Sequence, residues 1–257
     1  MVFGICSGPE IAQAAKDAGF GFLESSVAAI LKPGSSEAEF EDSIADVLNS
    51  QLPITNLNVL LPGGMIIAGP EADIAKAVAY CTIALQRAKK IGIESICFGS
   101  GTARRCPEGW KKEDATSQIR EFLSELAPVA TGLGVPLTIE NLNTTETNML
   151  CTVAECADMA RSVNSPGVLI LVDGYHWMKD SDIVESIIEN GDLIGHTHIA
   201  TIPSRAAPGL EPCDFSAFAD ALRDSGFNGK MSIEGRIDDK SAEGLKSALE
   251  TLNSIFA

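Results

Sequence analysis

The chain of 257 residues carries 19 Lys and Arg against 35 Asp and Glu, a net charge of −16. That balance argues against nucleic acid or an anionic membrane as partner, since both need clustered cations. An apolar fraction of 45% with 21% charged residues excludes a disordered or fibrous chain, and one α/β barrel takes about 250 residues.

Short apolar runs alternate with amphipathic ones from end to end. Residues 2–6 predict a strand, and Pro9 opens a helix to Asp17 that Gly19 stops. Residues 20–24 are the second strand, ending in Glu24, and 36–49 a helix with acidic residues in its first turn. The third strand is 54–61, and Gly69-Pro70-Glu71 starts a long helix to about Lys90. Residues 93–98 form the fourth strand, and a loop with Arg104, Arg105 and Trp110 precedes a helix over 114–133. Strands at 135–139, 168–172, 193–198 and 230–233 alternate with helices at 152–163, 181–188, 215–223 and 241–255. Continuous apolar strands imply a parallel sheet covered by helices. Eight strand–helix pairs without a linker or composition shift favour a single (β/α)8 barrel domain over residues 1–257. The glycines after the fourth strand lack the third glycine of a dinucleotide fingerprint, which argues against the open doubly wound alternative.

The seven cysteines show no Cys-x-x-Cys spacing and read as reduced thiols of a cytoplasmic protein. The N-terminus has no basic n-region, so no signal peptide is expected. No run approaches the ~18 apolar residues of a membrane span.

All three histidines, His176, His196 and His198, lie within 23 residues. Asp173 ends the sixth strand, and His196 and His198 share one side of the seventh, because a strand has a period of two. Taken singly, each fits equally well as a core histidine or a helix-capping Asp. Glu140 and Glu234 end the flanking strands, however, and functional residues of a barrel collect at those ends. Three carboxylates and one imidazole converging there would repel one another without a cation. With one, Glu140, Asp173, His198 and Glu234 form an oxygen and nitrogen site suited to Mn²⁺, Mg²⁺ or Co²⁺, and no thiolate is expected there to favour Zn²⁺. Open positions on such an ion suit a substrate with two adjacent oxygens.

From Glu140-Asn141-Leu142-Asn143 with Glu146, through Asp173-Gly174-Tyr175-His176 and His196-Thr197-His198, to Glu234, the chain resembles the divalent-metal sugar isomerases and epimerases with a xylose-isomerase-like barrel. It is most similar to the ketose 3-epimerases acting on sugars such as D-tagatose and D-allulose. The resemblance implies that Glu140, Asp173, His198 and Glu234 hold one divalent ion, Mn²⁺ foremost. It implies further that Glu140 and Glu234 exchange protons, while Glu146, His176 and Arg205 contact substrate. The segment after His198 departs from the family in lacking an acidic residue close by.

The implied reaction is removal and return of a proton at a carbon next to a carbonyl, through an enediolate. Trp110 and Trp177 would offer apolar faces to the sugar, or else pack under loops. The partner expected is a small-molecule sugar or sugar derivative, and assembly as a dimer or tetramer is left open. An aldose–ketose or hydroxypyruvate isomerase, or a lyase acting on 3-keto glycosides, uses the same ion and bases and stays open. A metal-dependent endonuclease needs more histidines and a basic face, and a non-catalytic sugar-binding barrel leaves the glutamate pair unexplained. Arg104 and Arg105 could hold a substrate phosphate or carboxylate, or serve the loop structurally.

Overall fold

Alternation within each strand divides two environments, and the barrel follows from it. The strands are Val2–Cys6 (β1), Phe22–Ser26 (β2), Ile54–Asn58 (β3), Ser95–Phe98 (β4), Leu137–Glu140 (β5), Val168–Asp173 (β6), Ile194–Ile199 (β7) and Lys230–Ile233 (β8) in a computed structural model that describes residues 1–256. They pair in parallel in chain order, and β8 closes onto β1. One parity set includes Leu23, Leu57, Ile96, Ile139, Ile170, Val172 and Ile233, all fully buried in the core shared with the helices. The other set faces the barrel axis and is largely polar: Glu24, Asn56, Ser95, Thr138, His196 and Ser232 are all buried. Phe22 fills part of the axis beside Gly4, where a Cβ would stand 2.4 Å from its ring. Its ring also meets His196 edge-on at 6.0 Å.

The helices close the outer layer. Ile74–Ile91 and Lys112–Leu133, the longest, each end in a left-handed glycine, Gly92 (φ 80°) and Gly134 (φ 67°), which a side chain would strain. Capping boxes start the helices Glu37–Ser43 and Val153–Val163.

Several boundaries differ from the sequence reading. The helix expected over 36–49 is two short helices, Glu37–Ser43 and Ala45–Leu48. The third strand stops at Asn58, because Val59 adopts φ 53° and turns the chain out of the sheet. A helix at Gly174–Lys179, capped by Asp173, follows the sixth strand directly, where the sequence reading placed no element. No helix among the described residues is long and apolar enough to cross a membrane.

Candidate active site

The barrel register carries the four expected ligand residues to one point. Asp173 lies opposite His198 across the β6–β7 pairing, after a register shift at Ile170/Leu171. Glu140 ends β5 and Glu234 follows β8 directly. One donor atom from each of Glu140, Asp173, His198 and Glu234 lies within 4.8 Å of the others. His198 Nδ1 is 3.3 Å from Glu140 Oε1, 3.6 Å from Glu234 Oε2 and 4.0 Å from Asp173 Oδ2.

Asp173 divides its oxygens between two tasks. Oδ1 accepts from the backbone N–H of Tyr175 (2.7 Å) and His176 (3.2 Å), capping their helix. Oδ2 is buried without a hydrogen-bond partner, and an orphaned carboxylate oxygen is costly. Burial, joined by the charges of Glu140 and Glu234, pushes the Asp173 carboxyl well above its ordinary range. Burial opposes the charge on His198 too, but Glu24 and Glu234 outweigh it and keep the imidazole protonated above its usual value. At Glu140, burial is outweighed by the hydrogen bond and charge of His198, so its carboxyl lies below the ordinary range. The chain alone thus balances this cluster with protons on Asp173 and His198. The donor set fits a divalent cation, which would satisfy Asp173 Oδ2 and replace both protons.

Glu24 is the residue that sequence reasoning passed over. It is fully buried in β2, with His198 Nε2 at 3.0 Å from Oε1 and His196 Nε2 at 2.8 Å from Oε2. Ser232 Oγ donates to Oε2 at 2.7 Å. Burial works against its charge, yet the two imidazoles hold its carboxyl well below the ordinary range. A carboxylate only accepts, so His198 presents Nε2–H to Glu24 and turns Nδ1 toward the other three acids. That is how an outer carboxylate fixes the tautomer of a metal-binding histidine. Its signal in the sequence was an acidic residue ending the apolar run 20–24. His196 has no place among the four ligand-type groups; it is a partner of Glu24.

A cavity of about 490 Å³ opens above the cluster, lined by Cys6, Asn58, Glu140, Glu146, Arg205 and Glu234 among others. Arg205 Nη1 donates to Glu146 Oε1 (3.3 Å) and Nη2 to Glu234 Oε2 (2.5 Å), with the guanidinium 4.8 Å from the Tyr175 ring. It adopts φ 49°. The backbone N–H of Arg236 bonds its carbonyl at 2.7 Å, and a Cβ on Gly235 would lie 2.7 Å from that oxygen. Gly235 therefore lets the loop after β7 dock against the end of β8. His176 is fully buried beside the cavity, and burial, with Arg205 next, pushes its pKa down to about 3. The backbone N–H of Asn143 donates to its Nδ1 at 3.2 Å. Asn143 Nδ2 lies 2.7 Å from the same Nδ1, and Nε2 lies 3.5 Å from both Arg205 Nη2 and Asp173 Oδ2, so His176 is a neutral imidazole beside the cluster.

Two expectations need correction. Neither Trp110 nor Trp177 lines this cavity. Trp177 is core, tilted against Phe218 at 5.9 Å, with Nε1 donating to the Ile183 carbonyl, because its helix turns that face to the apolar layer. Trp110 lies partly exposed in the loop after β4, its carbonyl facing the Cys106 thiol. Thiols are also present at the site: Cys6 Sγ lies within 4.8 Å of the donor atoms of His198 and Glu234, and Cys97 Sγ donates to Glu140 Oε2 at 3.3 Å. Burial and the nearby carboxylates push both well up, so they stand as neutral thiols. Of the two loop arginines, Arg104 is fully buried and donates to the carbonyls of Phe98, Glu140 and Leu150, so it braces the end of β5. Arg105 donates to the Glu146 carbonyl at 2.8 Å.

Over 175 residues the chain is 29% identical to a D-psicose 3-epimerase of Ruminiclostridium cellulolyticum, covering 65% of this chain and 58% of that protein. Over 120 residues it is 31% identical to a 3-dehydro-D-guloside 4-epimerase of Escherichia coli, covering 46% and 45%. The matches thus span about half the length of these curated relatives. A crystal structure of D-psicose 3-epimerase with D-tagatose from Clostridium cellulolyticum is similar at a TM-score of 0.85 and 20% identity, covering 100% of this chain and 99% of that one, a likeness of fold. The model of the xylose isomerase-like TIM barrel matches residues 12–255, and the chain belongs to that family.

Proposed function

We propose that this protein is a divalent-metal-dependent sugar epimerase that removes and returns a proton at a carbon next to a carbonyl. The observation that carries the reading is a pair of glutamates, Glu140 and Glu234, lining one cavity in a cluster that also holds the orphaned Asp173 Oδ2. Relatives whose names describe ketose 3-epimerases and a keto-glycoside 4-epimerase support it.

Glu140, Asp173, His198 and Glu234 would hold the ion, and their oxygen-rich donor set suits Mn²⁺ first, then Mg²⁺ or Co²⁺. Bound there, the ion would supply the positive charge that offsets an enolising carbonyl. The chain's own groups do the remaining work. One glutamate takes the proton from one face of the carbon and the other returns a proton to the opposite face, which inverts it. His176, a neutral imidazole, orients a substrate oxygen. Arg205, firmly protonated because its four acidic neighbours outweigh burial, and Glu146 line the wall that a polyhydroxy substrate would meet.

The test is incorporation of deuterium from D₂O into a panel of ketoses, aldoses and 3-keto glycosides. Exchange accompanied by the epimeric product supports the reading; binding without exchange in any of them overturns it. Metal content gives a second check. After exhaustive dialysis, His198→Ala should retain far less ion than wild type, and equal content in the two proteins would refute the ligand assignment.

Gly99 offers a third. A Cβ there would stand 2.1 Å from Glu140 Oε2, and Gly99 lies outside the left-handed region, so alanine suits the backbone. The cost therefore falls on the carboxylate, which must move. Since a displacement of about 1 Å can lower a rate about 10²-fold, Gly99→Ala should lose about that much in kcat with little change in Tm.

A further inference from the structure

Resting on the epimerase reading, we infer that Asn58 is a positioning residue for Glu234, holding one of the two bases and leaving the other untouched. Asn58 ends β3, three strands away from β8 around the barrel. Its Nδ2 nevertheless reaches across the mouth and donates to Glu234 Oε1 at 3.2 Å. A carboxylate has only acceptors to offer, so the amide must present its N–H side.

The backbone after it carries a second, independent mark. Val59 is β-branched, 49% exposed, and held at φ 53°. Such a residue rarely enters that region, and the conformation persists only where the surroundings over-determine it. Here they do: Leu60 and Leu61 are buried immediately beyond, and the Leu61 backbone N–H bonds Ser100 Oγ at 3.0 Å. The strained turn ends β3 at the residue whose amide meets Glu234, and both Asn58 and Val59 line the cavity.

His198 Nδ1 faces both glutamates, but the other side-chain contacts that hold each one come from separate groups. Glu234 is gripped at Oε1 by Asn58 and at Oε2 by Arg205. Glu140 is met at Oε1 by His198 and at Oε2 by the Cys97 thiol. Removing the Asn58 amide loosens one base only. If each glutamate serves one face of the reacting carbon, the defect must fall on one epimer of a substrate pair.

The experiment measures deuterium wash-in separately from each epimer, with the face served by Glu234 identified as the one that survives in Glu140→Gln. In Asn58→Ala, wash-in on that face should fall about tenfold or more, the scale of a lost hydrogen bond to a charged group, while the other epimer changes less than threefold. Asn58→Asp, close in size and able to fold where alanine fails, should show the same one-sided loss, enlarged by a like charge beside Glu234. Bound metal should match wild type in the variant used. Equal losses on both faces, loss of metal with both faces slowed, or no loss on the Glu234 face would each overturn the assignment while leaving the epimerase reading intact. Absence of exchange by wild type with every sugar would overturn both together.

Discussion

Glu140→Gln and Glu234→Gln should each abolish net epimerisation, with a loss of at least ~10²–10⁴ in rate, the usual worth of a positioned acid or base. Gln keeps an amide oxygen at the same reach, so the fold and part of the metal affinity should survive. That makes the variants more informative than alanine, which would also remove a ligand. The Cys97 thiol faces Glu140 Oε2 at 3.3 Å and can turn its weak S–H away from an amide without a clash. Arg205 and Asn58 both donate to Glu234, so in Glu234→Gln the new amide nitrogen would face a donor on one side. The Glu234 variant should accordingly be the less stable of the two. Each surviving glutamate should continue to wash deuterium into the epimer whose proton it faces, without forming the inverted product. An isomerase moving its proton along one face would lose exchange in only one of the two variants. If both variants epimerise at near wild-type rates, the glutamates are ligands and the two-base mechanism is wrong.

Much of the candidate cluster was legible because its signals are local. A polar residue ending an apolar run marks the mouth of a barrel, and Glu140, Asp173, His198 and Glu234 all announce themselves in that way. Asp173 even satisfies two readings at once, since Oδ1 caps a helix and Oδ2 faces the cluster of ligand-type groups. What escaped depends on barrel closure. Glu24 meets His196 and His198 from 172 and 174 residues away, and the pairings that bring β2 and β7 to one axis leave no trace in either segment. The strand alternation shows which side Glu24 takes, but not what waits there. Asn58 was hidden for a related reason: the apolar residues that follow it, Val59 to Leu61, extended the apparent strand past its true end. Trp177 misled because spacing alone cannot say which face of a short helix turns to the pocket, and it stands next to His176 in the chain.

Glu24→Gln should weaken metal binding about 10–100-fold, the range found when an outer partner of a ligating histidine is removed, although Glu24 is outside the four-residue ligand cluster. The glutamate accepts from three donors at once: His196, His198 and Ser232. An amide has one oxygen and one NH₂ group, so it can satisfy His198 or the pair His196 and Ser232, but not all three. If its oxygen stays with His198, its NH₂ meets His196 Nε2, which must then give up its proton and carry it on Nδ1. That atom is buried with no partner, so the proton would move from a satisfied position to an orphaned one. If the amide turns the other way, His198 loses the acceptor that fixes Nδ1 toward the ion. Either arrangement loosens the ligand. Removing one member of a buried charged cluster costs about 3–5 kcal/mol, so the metal-free variant should also melt lower than metal-free wild type at neutral pH. The pH dependence has a definite sign. Burial is outweighed by the two imidazoles, so the folded value of Glu24 lies well below its unfolded one; its stabilisation is present above the ordinary carboxylate range and lost as pH falls through the folded value. The gap in Tm between variant and wild type should narrow on acidification. Chelator competition at fixed pH, paired with melting curves of both metal-free proteins, measures the two effects separately. Unchanged affinity together with a constant Tm gap would mean that Glu24 fills space in the barrel and nothing more.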